Sequence, residues 1–309
     1  MDSLNHVMKE LMPNIEMNSQ HWIQYFRQHP DLIYFLSTHS ISDEMMVTSF
    51  NHFYQFIEEK ENCRQCNRLE SCPNMLHGHS TVLAVQNGQI QISLRRCEKL
   101  KRKEGEDYKK KLFKSQYVPE EILQATFRDI KQALGQQDAL AAILEFCKNY
   151  VPGSKQKGIY LYGPLGVGKS HMMAAAANKL AEKGISTLMI YVPDFFREMK
   201  SSIQDQTLNE KLEVLKKVQV LILDDIGAET ISQWERDEIL GAVLQSRMVK
   251  GLPTLYTSNK DYNSLEEHLS YSNKGGEEGL KAKRLMERIR HYTIPYFVDG
   301  PNRRISSNF

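Results

Sequence analysis

The chain has 309 residues, with 40 Lys and Arg against 38 Asp and Glu, for a formal net charge of +2. That length allows two domains, and an apolar share of 41% is ample for a core. No apolar run reaches membrane-spanning length and Met1-Asp2-Ser3 opens no secretion signal, so a cytoplasmic protein with no membrane partner is expected. The near-neutral total says nothing of partners, which makes the local distribution of charge and cysteine the informative feature.

Residues Met1 to about Glu61 read as helical. Leu32, Phe35 and Leu36, then Met46, Phe50, Phe53, Tyr54 and Ile57, recur at the spacing of one helix face. The pattern breaks at Cys63, and four of the five cysteines lie between Cys63 and Cys97. Cys63-Arg64-Gln65-Cys66 is a Cys-x-x-Cys pair. Two β-rich runs follow, Val82–Val85 and Gln89–Leu94, joined through Asn87-Gly88, which signals a hairpin. A thiolate pair on a loop with further ligands returned by a hairpin is how small structural zinc sites are built. Cys63, Cys66 and Cys97 are the expected ligands. The fourth is His79, with Cys72 and then His77 as alternatives. Free cysteines in a small core are the bland alternative, and the βαβ setting of a redox Cys-x-x-Cys is missing.

Glu98 to Tyr117 is polar and mostly basic, and reads as a linker or a solvated helix between domains, residues 101–117 being the linker proper. The expected division is therefore 1–100, a small helical, zinc-binding module, and 118–309, an α/β domain. In the second part Pro119 suits a helix start, and Leu140, Ile143, Leu144 and Cys147 share a helical face. Ile159–Gly163 is a short buried strand, and a helix runs on to Gly184. Thr187–Val192, Val218–Leu223 and Leu252–Ser258 are continuous apolar strands, as a parallel sheet requires. Capping-box spacing opens helices at Thr207–Glu210 and at Ser232–Glu235. Tyr271 to Gly279 is a loop, and a helix through Arg290 precedes a last strand, Thr293–Val298. Alternating strands and helices give a parallel α/β sheet covered on both faces.

Between the first strand of that domain and its helix lies Gly163-Pro164-Leu165-Gly166-Val167-Gly168-Lys169-Ser170, which matches Gly-x-x-x-x-Gly-Lys-Ser/Thr at every fixed position. Such a loop turns its N–H groups onto phosphates at a helix N-terminus. Lys169 would reach the β- and γ-phosphates and the Ser170 hydroxyl would hold Mg²⁺. Val220 to Leu223 ends in Asp224-Asp225. Asp224 would hold the Mg²⁺ shell, and Asp225 would orient the attacking water. Asn259, after Thr257-Ser258, could sit between the phosphates and that water. Lys281, Lys283, Arg284, Arg288 and Arg290 make the late helix basic, and arginines spread transition-state charge when they reach a γ-phosphate.

Gly163–Ser170, Asp224-Asp225-Ile226-Gly227, Thr257-Ser258-Asn259 and Arg284–Arg288 together resemble AAA+ ATPases of the bacterial replicative helicase-loader clade, and the cysteine module is similar to that of its primosomal members. The resemblance implies a five-stranded AAA+ core, and Mg²⁺-ATP or ADP bound by Gly163, Pro164, Leu165, Gly166, Val167, Gly168, Lys169, Ser170, His171 and Arg303. In it Gly163–Ser170 correspond to Walker A, Asp224 and Asp225 to Walker B, Asn259 to sensor 1, and Arg303, or alternatively Arg304, to sensor 2. Arg288 corresponds to the arginine finger that acts on an adjacent subunit's ATP. Asp225 departs from the Glu common in AAA+ proteins, which implies slow, switch-like hydrolysis. No separate lid domain is expected. The partners implied are the hexameric replicative helicase, single-stranded DNA, other primosome proteins and further copies of the AAA+ domain. DNA-contacting residues are not assigned; Phe195, Phe196 and Lys200 are the candidates, and core is the favoured reading of Phe195 or Phe196. The alternative within the clade is a transposition helper acting on duplex DNA, which would not need the cysteine module.

Overall fold

In a computed structural model, residues 19–130, 135–202, 206–271 and 279–303 are described. The chain divides into two units, Met1–Glu106 and Asp107–Phe309.

The first unit carries helices Ser19–Gln28, Pro30–Thr38, Asp43–Thr48 and Phe50–Gln65. The part of the expected helical run before residue 19 lies outside the described residues. Local chemistry starts two of these helices. Pro30 sits in a first turn, where its missing N–H costs nothing, and the Ser42 hydroxyl accepts the Met45 N–H at 3.2 Å. A hairpin follows, β1 (His79–Gln86) and β2 (Gln89–Arg96), with Gln86 opposite Gln89. Asn87 (φ 51°) and Gly88 (φ 73°) form its two-residue loop, with the positive φ at both positions that a type I′ turn demands. Leu83 and Ile90 point from the hairpin into a core with Phe26, Leu32, Met46, Phe53 and Phe56.

The helix Glu98–Leu112 contains the division between units and buries none of its residues, as its charge pattern requires. The sheet of the second unit departs from expectation. It has six strands, all parallel, because Phe113–Gln116, read as the end of a linker, pairs as strand β3 with the edge of the sheet. The others are β4 (Gly158–Tyr162), β5 (Thr187–Tyr191), β6 (Val220–Asp224), β7 (Thr254–Ser258) and β8 (Thr293–Phe297), in the order β3-β5-β6-β7-β4-β8. Successive residues of β6 serve opposite faces. Ile222 joins Ile143, Met172, Met173 and Leu255 on one side, while Leu221 and Leu223 join Phe195, Phe196, Leu265 and Met286 on the other. Leu144, expected on the buried face of helix Gln137–Asn149, is 45% exposed, whereas Leu140, Ile143 and Cys147 are buried.

The capping box at Ser232 forms, with Ser232 N–H donating to Glu235 Oε2 and Glu235 N–H to Ser232 Oγ. That at Thr207 makes no side-chain cap hydrogen bond. The segment Glu235–Gly241 is π-helical before the α-helix Ala242–Lys250. Of the expected loop Tyr271–Gly279, residues 272–278 lie outside the described residues. Among the described residues no helix is long and apolar enough to cross a membrane. The order β6-β7-β4 matters most for chemistry: it brings the carboxyl ends of three strands side by side.

Candidate functional site

The loop after β4 closes tightly because glycines at two positions, both at positive φ, leave room that a side chain would fill. A Cβ on Gly163 would lie 2.1 Å from the Val298 carbonyl oxygen, and one on Gly166 1.9 Å from Asn302 Oδ1. Gly168, in the left-handed region, hands the loop over to helix Lys169–Glu182. Lys169 is 7% exposed, and its ammonium donates to the Gly163 carbonyl (2.7 Å), the Pro164 carbonyl (2.7 Å) and Asn259 Oδ1 (2.8 Å). The curl of the loop and its first helical side chain thus position each other.

Asn259 follows β7 and uses its amide at both ends: Oδ1 accepts from Lys169, and Nδ2 donates to Asp225 Oδ1 at 3.0 Å. Thr257, in β7, does the same for the paired carboxylates. Its hydroxyl donates to Asp224 Oδ1 at 2.6 Å and accepts the Asp225 N–H at 2.8 Å. Burial pushes the Asp224 carboxyl up; the Thr257 and Ser170 hydroxyls beside it pull down, the Asp225 charge adds to the rise and the Lys169 charge opposes it. A buried carboxyl in that setting suits a divalent cation, whose charge would favour its ionised form, and Ser170 is the hydroxyl beside it.

These side chains open onto a cavity of about 740 Å³. Its floor is Lys169, Ser170, Asp224, Asp225 and Asn259, and its other walls include Tyr117, Pro119, Ile122, Leu165 and His171. Arg303 lines it too. Its backbone N–H donates to the Gly166 carbonyl, and its guanidinium donates to Gln136 Oε1, while Gln136 Nε2 donates to the Val167 carbonyl. Arg304 lies outside the described residues. Tyr117, in a left-handed conformation (φ 62°), sets its hydroxyl against Glu198, and burial with that neighbour pushes it up to about 12.

Known proteins match both units. Residues 1–94 match the family described as "Primosomal protein DnaI N-terminus", and residues 123–297 the family "IstB-like ATP binding protein". The "Replicative helicase loader DnaI" of Bacillus subtilis is 43% identical over 265 residues, 85% of each chain. The chain belongs to the DnaI-type replicative helicase loaders. A crystal structure titled as that of DnaI superposes with a TM-score of 0.56 at 47% identity, covering 63% of this chain and 99% of that one. The "Replicative helicase loader DnaC" of Escherichia coli is 28% identical over 158 residues, 50% of this chain and 58% of its own.

For a helicase loader, the placement of Arg288 is informative. It does not line the large cavity; its Nη1 donates to the Gly241 carbonyl at 3.4 Å, beside a separate cavity of about 120 Å³ that it shares with Arg247 and Tyr256. Gly163, Pro164 and Val167 shape the phosphate loop from behind and are not part of the cavity lining. Phe195 and Phe196 are core, and Lys200 pairs with the buried Glu235 at 3.1 Å.

The expected zinc ligands are not gathered. Among the described residues no three His, Cys, Asp or Glu side chains group so as to hold a metal ion. Each candidate instead meets a different local partner. Cys63 Sγ accepts from Asn74, Cys66 Sγ from Lys99, Cys72 Sγ from the Gly78 N–H and Cys97 Sγ from the Leu100 N–H, while His79 Nδ1 meets the His77 carbonyl. Sequence reasoning also missed Thr257, Gln136 and Tyr117 as site residues. Only Thr257 had a signal, its place two residues before Asn259 at the end of a buried strand.

Proposed function

We propose that this protein is an ATP-dependent loader that binds the replicative DNA helicase and delivers it onto single-stranded DNA when replication starts. The observation that carries the ATP half is the unbroken link Lys169–Asn259–Asp225, with Asp224 one residue away, all facing the Gly-rich loop. The loop N–H groups and Lys169 would receive the triphosphate. Ser170 and Asp224 would hold Mg²⁺, which when bound neutralises charge on the β- and γ-phosphates. Asp225, kept in place by Asn259, accepts a proton from the attacking water or orients it. Arg303 reaches the same cavity from its own chain, whereas Arg288 is directed elsewhere and would have to leave the Gly241 carbonyl to serve a neighbouring copy. The short Asp225 side chain supports slow turnover, so that ATP acts as a switch for assembly.

The helicase half is supported by the match of residues 1–94 to the primosomal family and by the resemblance to the loader of Bacillus subtilis. The IstB-like match alone, over residues 123–297, would equally suit a transposition helper; the cysteine module favours the loader. The decisive experiment is co-purification of the full chain with its cell's replicative helicase, followed by transfer of that helicase onto closed circular single-stranded DNA with Mg-ATP. Transfer with the wild type and none with Lys169→Ala is expected. A protein that neither retains the helicase nor binds adenine nucleotide would refute the proposal.

Zinc in the first unit is a separate proposal. It is supported by the soft donor set that Cys63, Cys66, His79 and Cys97 supply within one short stretch of chain, and by the N–H groups that point at Cys72 and Cys97 sulfur. Elemental analysis of full-length protein purified without chelator should find one zinc, lost in Cys63→Ser; a metal-free, folded protein would end it.

A further inference from the structure

Asp225 adopts a left-handed conformation (φ 59°), uncommon for a residue with a side chain although Asp tolerates it better than most. From β7 the turn is held by three bonds: Asp225 N–H to Thr257 Oγ1, Ile226 N–H to the Thr257 carbonyl, and Ser258 Oγ to the Ile226 carbonyl. The far side of the turn is held differently. The Gly227 N–H donates to Glu229 Oε2 at 2.9 Å, and Glu229 is 7% exposed. Its other oxygen is buried without a hydrogen-bond partner among the described residues. Gly227 (φ 89°) packs against Leu265 and the Lys260 side chain, so the turn has no room to relax on that face.

A turn alone does not need a buried carboxylate. A neutral acceptor would satisfy one N–H without the desolvation cost. Glu229 bears that cost in the negative field of Asp225, and burial, with that field adding, pushes it up to about 7. The other titratable groups facing this region are His268, on helix Tyr262–Ser270, which meets the Glu229 backbone, Lys260 after β7, and Tyr160 of β4, whose hydroxyl donates to the Lys260 carbonyl and lies in the field of Glu229.

We propose that Glu229 is a positioning residue for ATP hydrolysis: by accepting the Gly227 N–H it fixes the turn that holds Asp225 left-handed, with its carboxylate against Asn259. The proposal rests on the assignment of Asp225 to the attacking water. Glu229 acts through Asp225 and touches neither nucleotide nor metal. An ionised Glu229 is the stronger acceptor, so the turn is held best above the pH at which it loses its proton.

The test is steady-state ATP turnover by the full chain with Mg²⁺, for wild type, Glu229→Ala, Glu229→Gln and Asp225→Asn. Glu229→Ala should lower kcat about 10-fold to 100-fold, the scale of a slightly misplaced catalytic group, with little change in the KM for ATP. Glu229→Gln keeps an oxygen for the Gly227 N–H. It should retain most of the activity and lack the rise in kcat expected of the wild type between about pH 6 and about pH 8. Wild-type kcat in a folded Glu229→Ala overturns the inference. So does a Glu229→Gln that keeps the wild-type pH profile, which decides the matter if the alanine variant does not fold. Equal damage in both variants, with KM and melting temperature moving alongside kcat, marks a merely structural role and also overturns it. Undiminished turnover in Asp225→Asn defeats the parent assignment itself, an outcome visible without reference to Glu229.

Discussion

Replacing Thr257 by valine keeps the shape of a buried strand residue and removes one hydroxyl. Thr257 is 1% exposed, and that hydroxyl makes the two bonds at 2.6 Å and 2.8 Å to Asp224 and the Asp225 N–H. A hydrogen bond to a carboxylate contributes about 1.5–3 kcal/mol, and an amide left without a partner costs about 1–3 kcal/mol. Both losses come from one atom and do not simply add, so about 3 kcal/mol is expected. At about 2–4 °C per kcal/mol for a unit of this size, the melting temperature should fall by about 6–12 °C. The assay is a far-ultraviolet circular dichroism melt of metal-free, nucleotide-free protein. With two units, the transition to follow is the one that Mg-ATP shifts. Thr257→Ser, which keeps the hydroxyl, should stay near wild type. The Thr257 bond also pulls the Asp224 carboxyl down against burial, so its loss should raise the Mg²⁺ concentration needed for half-maximal nucleotide binding. A valine variant melting within about 2 °C of wild type, with unchanged Mg²⁺ dependence, would refute the assignment of Thr257 as the link between β7 and the carboxylates.

Three further outcomes are expected. Lys169→Ala should abolish the stabilisation by Mg-ATP, which for wild type amounts to about 2.7 kcal/mol at a hundredfold excess over Kd, measured by the same melt. Arg288→Ala should bind nucleotide normally, since Arg288 does not line the cavity, yet lose turnover about tenfold or more; mixing it with Lys169→Ala should restore activity, because one copy keeps a site and the other an arginine. Metal-free stability should depend on Glu229. Its pKa is raised on folding, so its contribution is fully present below about 4.5 and lost as pH climbs through about 7. Glu229→Gln should therefore gain on wild type between about pH 5 and about pH 8, by on the order of 3 kcal/mol, in urea titrations across that range.

That gain would be instructive, because the same carboxylate is argued to serve turnover. A buried charge that weakens the fold and sharpens a catalytic turn is a familiar exchange of stability for activity.

What the amino-acid sequence determined by itself is everything carried by short stretches. The Gly163–Ser170 loop has its conformation written in glycines that tolerate no Cβ. The apolar run before Asp224-Asp225 reads as a strand buried on both faces, and Asn87-Gly88 as a tight hairpin loop. These depend on backbone sterics and on periodicity within a few residues, which any chain carrying them must obey. Tertiary structure alone decided the rest. Phe113–Gln116 ends a charged stretch and becomes a strand because β5 offers it an unpaired edge. Leu144 is exposed although its spacing fits the buried face, because burial depends on what packs there. Thr257 joins the two carboxylates across 33 and 32 residues of chain, and Arg303 meets Gln136 across 167. Glu229 acquires its altered acidity from burial and a neighbour's field. Such bonds need two distant residues at one place, and only the order of the strands in the sheet puts them there.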